Sequence, residues 1–354
     1  MTHPAPPLQS SAAPVLVTGG AGYFGSRLVE ALVSRGRRCR IFDLQVPSHV
    51  PRGVEVHVGD VRDEQAVYRA CVGVGQVHHN IAQVPLAKDR DLFDSVNRVG
   101  TEKLLRACAE AGVRKVIYTS SSAVLGVPER NPVAEDAPPN PMEAYGRAKW
   151  EGEQLCRRYV EQGLDVTIIR PRTILGHGRL GIFQILFEWI REGANVPVLG
   201  AGTNRYQFVH ADDLVDACLR AAERPGAALY HCGAREFGTL RESLEALCRH
   251  AATGSRVRGV PMGLAEWGMR WSGALGLSPL GAYHALMYGR SLWFDCERAR
   301  RELGWEPRHS NESMLIESYE WYLRHRDEVM SGGEGSPHRR GVRQGVLGWV
   351  KRCL

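Results

Sequence analysis

Residues 15–25 read VLVTGGAGYFG, a short apolar run that ends in a glycine-rich turn. SRLVEALVSRG follows, with Leu28 and Leu32, and Val29 and Val33, at helical spacing and Gly36 as a stop. Strand, glycine turn and helix together form the context in which such a loop grips a phosphate. Gly19 permits the tight turn, Gly22 lets the backbone approach a pyrophosphate, and Gly25 lets helix and strand pack closely. Tyr23 and Phe24 lie at the helix start, where unpaired N–H groups favour an anion.

Outward from this unit the pattern repeats. RCRIFDL is a second strand ending at Asp43, and VEVHVGDV (54–61) a third. Helical DEQAVYRACVG, strand VHHNIA (77–82), helix VGTEKLLRACAEAG (99–112) and strand VRKVIYTSS (113–121) come next. The helix AYGRAKWEGEQLCRRYVEQG (144–163) and the strand DVTIIRP (165–171) complete the series. Strand and helix in strict alternation predict an α/β fold, a doubly wound parallel sheet. The chain divides into a tail (1–13), a dinucleotide-binding domain (14–175) and a region (176–330) that is mainly substrate lobe interleaved with returning sheet elements. A linker and basic tail (331–354) end it.

Composition narrows the function classes. The 354 residues carry 45 Lys+Arg and 39 Asp+Glu, a net charge of +6. Five of the basic residues, Arg339, Arg340, Arg343, Lys351 and Arg352, lie in the last sixteen with no acid, which leaves about +1 for the body. The body is therefore not a nucleic-acid surface by charge. The nine cysteines form no C-x-x-C pair and no zinc spacing, so no metal site is predicted. Free thiols fit a reducing compartment. The start MTHPAPPLQSSAAP lacks the signature of a secretory signal, so the expected location is cytoplasmic.

Asp43 lies eighteen residues after Gly25 at a strand end, where a carboxylate accepts from the adenosine ribose hydroxyls and repels a 2′-phosphate. NAD is therefore favoured over NADP. Asp60, with Val61 beside it, admits two readings: an acceptor for the adenine amino group, or a strand-end cap. Tyr145 and Lys149 are four apart on a predicted helix and share a face. A cationic Lys beside a phenol stabilises the phenolate. That Tyr would exchange a hydroxyl proton while hydride moves to or from nicotinamide, and Lys149 would also hold the nicotinamide ribose. Ser121, in YTSSSAVLG, would orient the substrate oxygen.

Through TGGAGYFG, GDVRD, NRVGT, YTSSSAVLG, YGRAK, IRPRTILG, FVHADDL and DCERARRELGWEP, the chain resembles an extended short-chain dehydrogenase/reductase of the NAD-dependent epimerase/dehydratase superfamily. The resemblance covers most of residues 14–325. It implies a Rossmann fold, bound NAD and a Ser121–Tyr145–Lys149 set. It also implies that Asn97 ties the sheet to the active site, that Pro171 to Leu175 lie beside the nicotinamide amide, and that the chain is a homodimer.

Departures from the sugar enzymes matter. Where sugar-nucleotide dehydratases resembling this chain carry Thr-Asp-Glu, it has Ser121, Ser122 and Ala123. Where the epimerases place an Arg before the strand ending in His, it has Tyr206, with Arg205 one residue earlier. The segment from Val260 to Gly289 is apolar and reads equally as lobe core or as a lipid-accepting wall. In the tail, Val342, Val346, Trp349, Val350 and Cys353 recur at helical spacing among basic residues. That pattern suits an interfacial helix at the inner membrane face, or a frayed basic tail. These features resemble the 3β-hydroxysteroid dehydrogenase-like branch. The expected activity is NAD-dependent interconversion of a secondary alcohol and a ketone on a hydrophobic, sterol- or lipid-like small-molecule substrate, with decarboxylation if a carboxyl group lies β to the new ketone. The rival from the same residues is a nucleotide-sugar epimerase. A third class, a non-catalytic NAD-binding or assembly protein, is disfavoured by the intact Ser/Tyr/Lys set.

Overall fold

A computed structural model describes residues 13–83, 92–261, 263, 287–331 and 351 of the chain. Strands β1 (Val15–Thr18), β2 (Cys39–Asp43), β3 (Glu55–Val58), β4 (Gln76–His79), β5 (Lys115–Thr119), β6 (Val166–Pro171) and β10 (Ala228–Cys232) form one sheet. Their order is β10-β6-β5-β4-β1-β2-β3, and every pair is parallel. Such a sheet must be covered on both faces, and the strand residues divide accordingly. Val15, Val17, Ile41, Ile117 and Ile169 pack on one side. Helices α1 (Tyr23–Ser34), α6 (Ala211–Glu223) and α8 (Glu297–Leu303) cover that side through Leu28, Leu214 and Leu303. The alternate residues Leu16, Phe42, Val116 and Ile168 face α2 (Glu64–Cys71), α3 (Thr101–Glu110) and α4 (Ala144–Glu161). The order reverses between β1 and β4, which opens a crevice beyond their carboxyl ends.

A third core holds the lobe. It joins α5 (Phe183–Arg191), β8 (Val196–Leu199), α7 (Leu240–Ala251), β11 (Val257–Val260) and α9 (Asn311–Met330) around Phe187, Leu244, Met314 and Tyr322. The short parallel pair β7 (Thr173–Leu175) and β9 (Phe208–His210) links it to the large sheet.

Several expected boundaries move. The third strand stops at Val58, because GDVRD is a turn: Asp60 Oδ1 accepts from the Arg62 amide at 2.8 Å, and Asp63 caps α2. The fifth strand stops at Thr119, and Ser121 instead caps a 3₁₀ turn, Ser122–Leu125. The helix expected from residue 99 begins earlier, as a π-helical stretch Phe93–Gly100 that runs into α3. Most of the apolar 260–289 segment, residues 1–12, and the tail beyond Ser331 apart from Lys351 lie outside the described residues. Lys351 pairs with Glu192. Among the described residues no helix is long and apolar enough to cross a membrane.

Candidate active site

The glycine turn closes as its sequence demands. Gly19 has φ +71°, and its carbonyl accepts from the Gly22 amide at 3.0 Å. A Cβ on Gly25 would lie 2.0 Å from that carbonyl oxygen, so no side chain fits there. Gly22 is the N-cap of α1 and offers no side-chain acceptor, and the first turn holds no acid. The amides of Tyr23, Phe24 and Gly25 thus open a helix with no acid in its first turn, a cradle suited to a pyrophosphate. The Tyr23 side chain serves the fold instead: it is 1% exposed and donates to the His177 carbonyl at 3.3 Å. Asp43 Oδ2 accepts from the Ala21 amide at 3.0 Å, which ties the end of β2 to the turn. Asp60 is gripped by Arg62, and that hydrogen bond holds its carboxyl below the usual range. Val61 is buried, and Gly100 lets the helix approach it, since a Cβ there would sit 2.6 Å from Val61 Cγ1.

Beyond the switch point a hydrogen-bonded chain links β1, β4 and α3. The Asn80 amide donates to Thr18 Oγ1 at 3.1 Å, and Thr101 Oγ1 donates to the Asn97 carbonyl at 2.7 Å. Thr18 Oγ1 lies 2.8 Å from His79 Nδ1, and Thr101 Oγ1 3.0 Å from His79 Nε2. The two ends fix the middle. Thr101, its proton committed, accepts from Nε2–H, and Nδ1 accepts the Thr18 hydroxyl proton. Burial pushes His79 down to about 3, in keeping with this neutral tautomer. Asn97, 1% exposed, closes on Gln83: its Oδ1 accepts from the Gln83 amide at 2.7 Å and its Nδ2 donates to the carbonyl at 3.2 Å.

Tyr145 and Lys149 lie in the first two turns of α4. Glu143 caps that helix by accepting from the Tyr145 and Gly146 amides at 2.8 and 2.6 Å. Two helical glycines press α4 against the end of β5. A Cβ on Gly146 would lie 2.5 Å from the Ala123 carbonyl oxygen, and one on Gly152 would lie 2.1 Å from the Tyr118 hydroxyl. Tyr145 thereby starts its helix against the 3₁₀ turn that Ser121 caps. Lys149 is 3% exposed; its Nζ donates to the Thr119 carbonyl at 2.8 Å and lies 5.0 Å from the Tyr118 ring centre. Burial pulls its pKa down to about 8. Ser121 Oγ accepts from the Ala123 amide at 3.1 Å. Pro171 ends β6 next door, paired with Cys232.

One buried pairing escapes the sequence. Glu153 and Arg170, 0% and 1% exposed, form a two-point ion pair at 2.8 and 2.7 Å, and Ser120 Oγ donates to the same carboxylate at 2.6 Å. The helical glycines in YGRAKWEG were a readable signal of close approach. Arg172 is 1% exposed beside Ser122. By contrast, a cleft of about 840 Å³ is lined by Arg157, Val160 and Arg298. Val160 is fifteen residues from Tyr145 along α4, roughly 22 Å at 1.5 Å per residue, so that cleft is not part of this site.

Residues 15–233 match the profile of the NAD dependent epimerase/dehydratase family. An uncharacterized protein, y4nG, of Sinorhizobium fredii is 50% identical over 340 residues, 96% of this chain and 86% of that protein. Human sterol-4-alpha-carboxylate 3-dehydrogenase, decarboxylating, is 34% identical over 222 residues, which span 61% of this chain and 59% of that protein. Among solved structures, MoeE5 in complex with UDP-glucose and NAD is similar with a TM-score of 0.71 and 25% identity, covering 88% of this chain and 99% of that one.

Proposed function

Because the chain belongs to the NAD dependent epimerase/dehydratase family, we propose that it interconverts a secondary alcohol and a ketone on a hydrophobic, sterol- or lipid-like substrate. The amides that open α1 and the Asp43 carboxylate would hold NAD. The chemistry that NAD would supply there is acceptance or return of the hydride of the carbinol carbon. Tyr145 Oη removes the carbinol O–H proton in oxidation and gives it back in reduction. Lys149 supports the phenolate: with a pKa of about 8 its ammonium is mostly charged at pH 7, and a neighbouring cation in low-dielectric surroundings favours the anionic phenol. The Ser121 hydroxyl orients the substrate oxygen.

The observation that carries this reading is the buried ammonium. Desolvating Lys149 costs stability, and among the described residues it forms no ion pair. Its placement four residues after Tyr145, at the carboxyl end of β5, gives that cost a use.

Two further features support a hydrophobic substrate. Tyr206 stands buried, its hydroxyl 3.0 Å from Thr173 Oγ1, where sugar epimerases resembling this chain carry an arginine. Arg205 instead stacks on Phe237 and Trp293, 4.9 and 4.7 Å from the ring centres. The human relative adds decarboxylation to the reading. If a carboxyl group lies on the carbon next to the alcohol, oxidation yields a β-keto acid. That acid loses carbon dioxide, its C–C electrons pass into an enolate, and the enolate is then protonated.

The second reading, a nucleotide-sugar epimerase, is favoured by the likeness to MoeE5. There the transient ketone is reduced on its other face, and no NADH accumulates. The deciding experiment measures NADH formation with a panel of sterol and lipid alcohols beside UDP- and dTDP-sugars. Turnover confined to the sugars, without net NADH, replaces the first reading by the second.

A further inference from the structure

Arg172 follows β6 and is 1% exposed. Its Nη1 donates to Ser122 Oγ at 2.9 Å, one residue from Ser121. The guanidinium lies between two rings, 5.0 Å from the centre of Tyr206 and 5.7 Å from that of Phe294. Among the described residues it forms no ion pair, and its Nε and Nη2 have no hydrogen-bond partner. Nε–H and Nη2–H are the parallel donors of one guanidinium edge, the edge that matches the two oxygens of a carboxylate.

The same protein shows how that edge is otherwise used. Arg170 turns Nε and Nη2 to Glu153 at 2.8 and 2.7 Å, and Arg98 turns them to Asp94 at 2.5 and 2.9 Å. Arg191 and Arg326 do the same with Glu188. Arg172 presents the same edge inside the protein with no carboxylate of its own. A buried cation left this way is costly unless something completes it.

We propose that Arg172 receives a carboxylate carried by the substrate and so sets specificity for an acidic alcohol. This rests on the oxidoreductase reading above for the kind of molecule, but not for the anion. Charge balance favours a carboxylate over the diphosphate of a sugar nucleotide. One guanidinium neutralises one carboxylate, whereas a diphosphate brings two charges to a guanidinium flanked by the Tyr206 and Phe294 rings. Two neighbouring cations are engaged elsewhere: Arg170 by Glu153, and Arg205 by the Phe237 and Trp293 rings. Holding the carboxylate as an anion stabilises the bound substrate, so the contribution belongs to binding and to KM, not to kcat.

The test uses the full chain loaded with NAD and three probes: a 3-hydroxysteroid with a carboxyl group on the neighbouring carbon, its methyl ester, and UDP-glucose. Affinity is measured by calorimetry and steroid turnover by NADH absorbance, for the wild type, Arg172→Met and Arg172→Lys. The lysine variant keeps the charge, and so tests the paired donors even if the methionine variant fails to fold. The wild type should bind acid over ester, and the methionine variant should lose that preference by on the order of 30-fold, expressed in Kd and KM. Lysine should restore part of it. Equal binding of acid and ester by the wild type overturns the proposal, whether or not either steroid is oxidised. Acid preference without turnover upholds the anion site and removes the oxidoreductase reading instead. Binding of UDP-glucose that is lost with Arg172, without acid preference, assigns the guanidinium to phosphoryl oxygens and overturns the proposal.

Discussion

Glu153→Gln removes one charge from the centre of the molecule and changes almost nothing in shape. Glu153 is 0% exposed and holds Arg170, 1% exposed, through two bonds of 2.8 and 2.7 Å; Ser120 Oγ adds a third at 2.6 Å. Arg157 reaches the same carboxylate from the surface at 3.4 Å. The amide offers one acceptor where the carboxylate offered two, and it turns an N–H₂ towards guanidinium donors. Arg170 keeps its charge but loses its counterion in a fully buried site. Breaking a buried pair from one side costs about 3–5 kcal/mol, a large part of the roughly 5–15 kcal/mol that stabilises a typical domain. The assay is urea unfolding of the variant beside the wild type, with Glu153→Gln/Arg170→Met as the second mutant. In the double variant both charges are gone, so it should be less destabilised than the sum of its parts, and the coupling should exceed 1 kcal/mol. A loss below about 1 kcal/mol in the single variant, or simple additivity in the double, refutes the reasoning. The pair joins β5, α4 and β6, so the surviving single variant should also turn over more slowly.

Three other outcomes follow from the site. Tyr145→Phe should lower kcat by about 10²–10⁴-fold while NAD affinity, read by fluorescence titration, stays within a factor of two or so; undiminished turnover would remove the phenol from the chemistry. Asp43→Asn should weaken NAD binding by about tenfold or more and narrow the gap to NADP, measured as the ratio of the two dissociation constants. The third concerns pH. The hydrogen bond that His309 donates to Asp213 raises His309, while the His177 bond lowers Glu317; Asp213 is lowered against the opposing effect of its own burial. A raised histidine stabilises fully below its unfolded value near 6.5 and loses that contribution as pH rises through its folded value. The depressed acids stabilise above about 4 and lose their share as pH falls through their folded values. The cluster should therefore support the fold best between about pH 4.5 and 6.5. A His309→Asn variant should show a smaller fall in melting temperature from pH 6 to 8.5 than the wild type, by about 1–3 °C.

What the sequence showed depended on how local the cause was. The glycine turn, its following helix and the strand–helix alternation are set by neighbours within a dozen residues, and the seven-stranded parallel sheet follows from them. Tyr145 and Lys149 were readable because four residues on a helix share a face. Strand ends were less legible: Asp60 and Ser121 sit beyond their strands because their own side chains bond nearby amides and start turns. The Glu153–Arg170 pair spans seventeen residues and two elements, and neither residue announces burial by type. The unmatched edge of the Arg172 guanidinium depends on Ser122, Tyr206 and Phe294, which only the fold brings together.

The hydrogen-bonded chain through Thr18, His79, Thr101 and Asn97 has a consequence for how the sheet assembles. Thr18 and His79 are partners in the β1–β4 ladder. A slip of one residue would send Thr18 to the opposite face, leaving the His79 Nδ1 buried and unmatched. Aliphatic neighbours such as Val17 and Val77 tolerate misalignment more readily, since one greasy contact replaces another. This small polar inlay therefore works as an alignment key during folding: it makes wrong pairings expensive at the seam where the sheet splits to admit a dinucleotide.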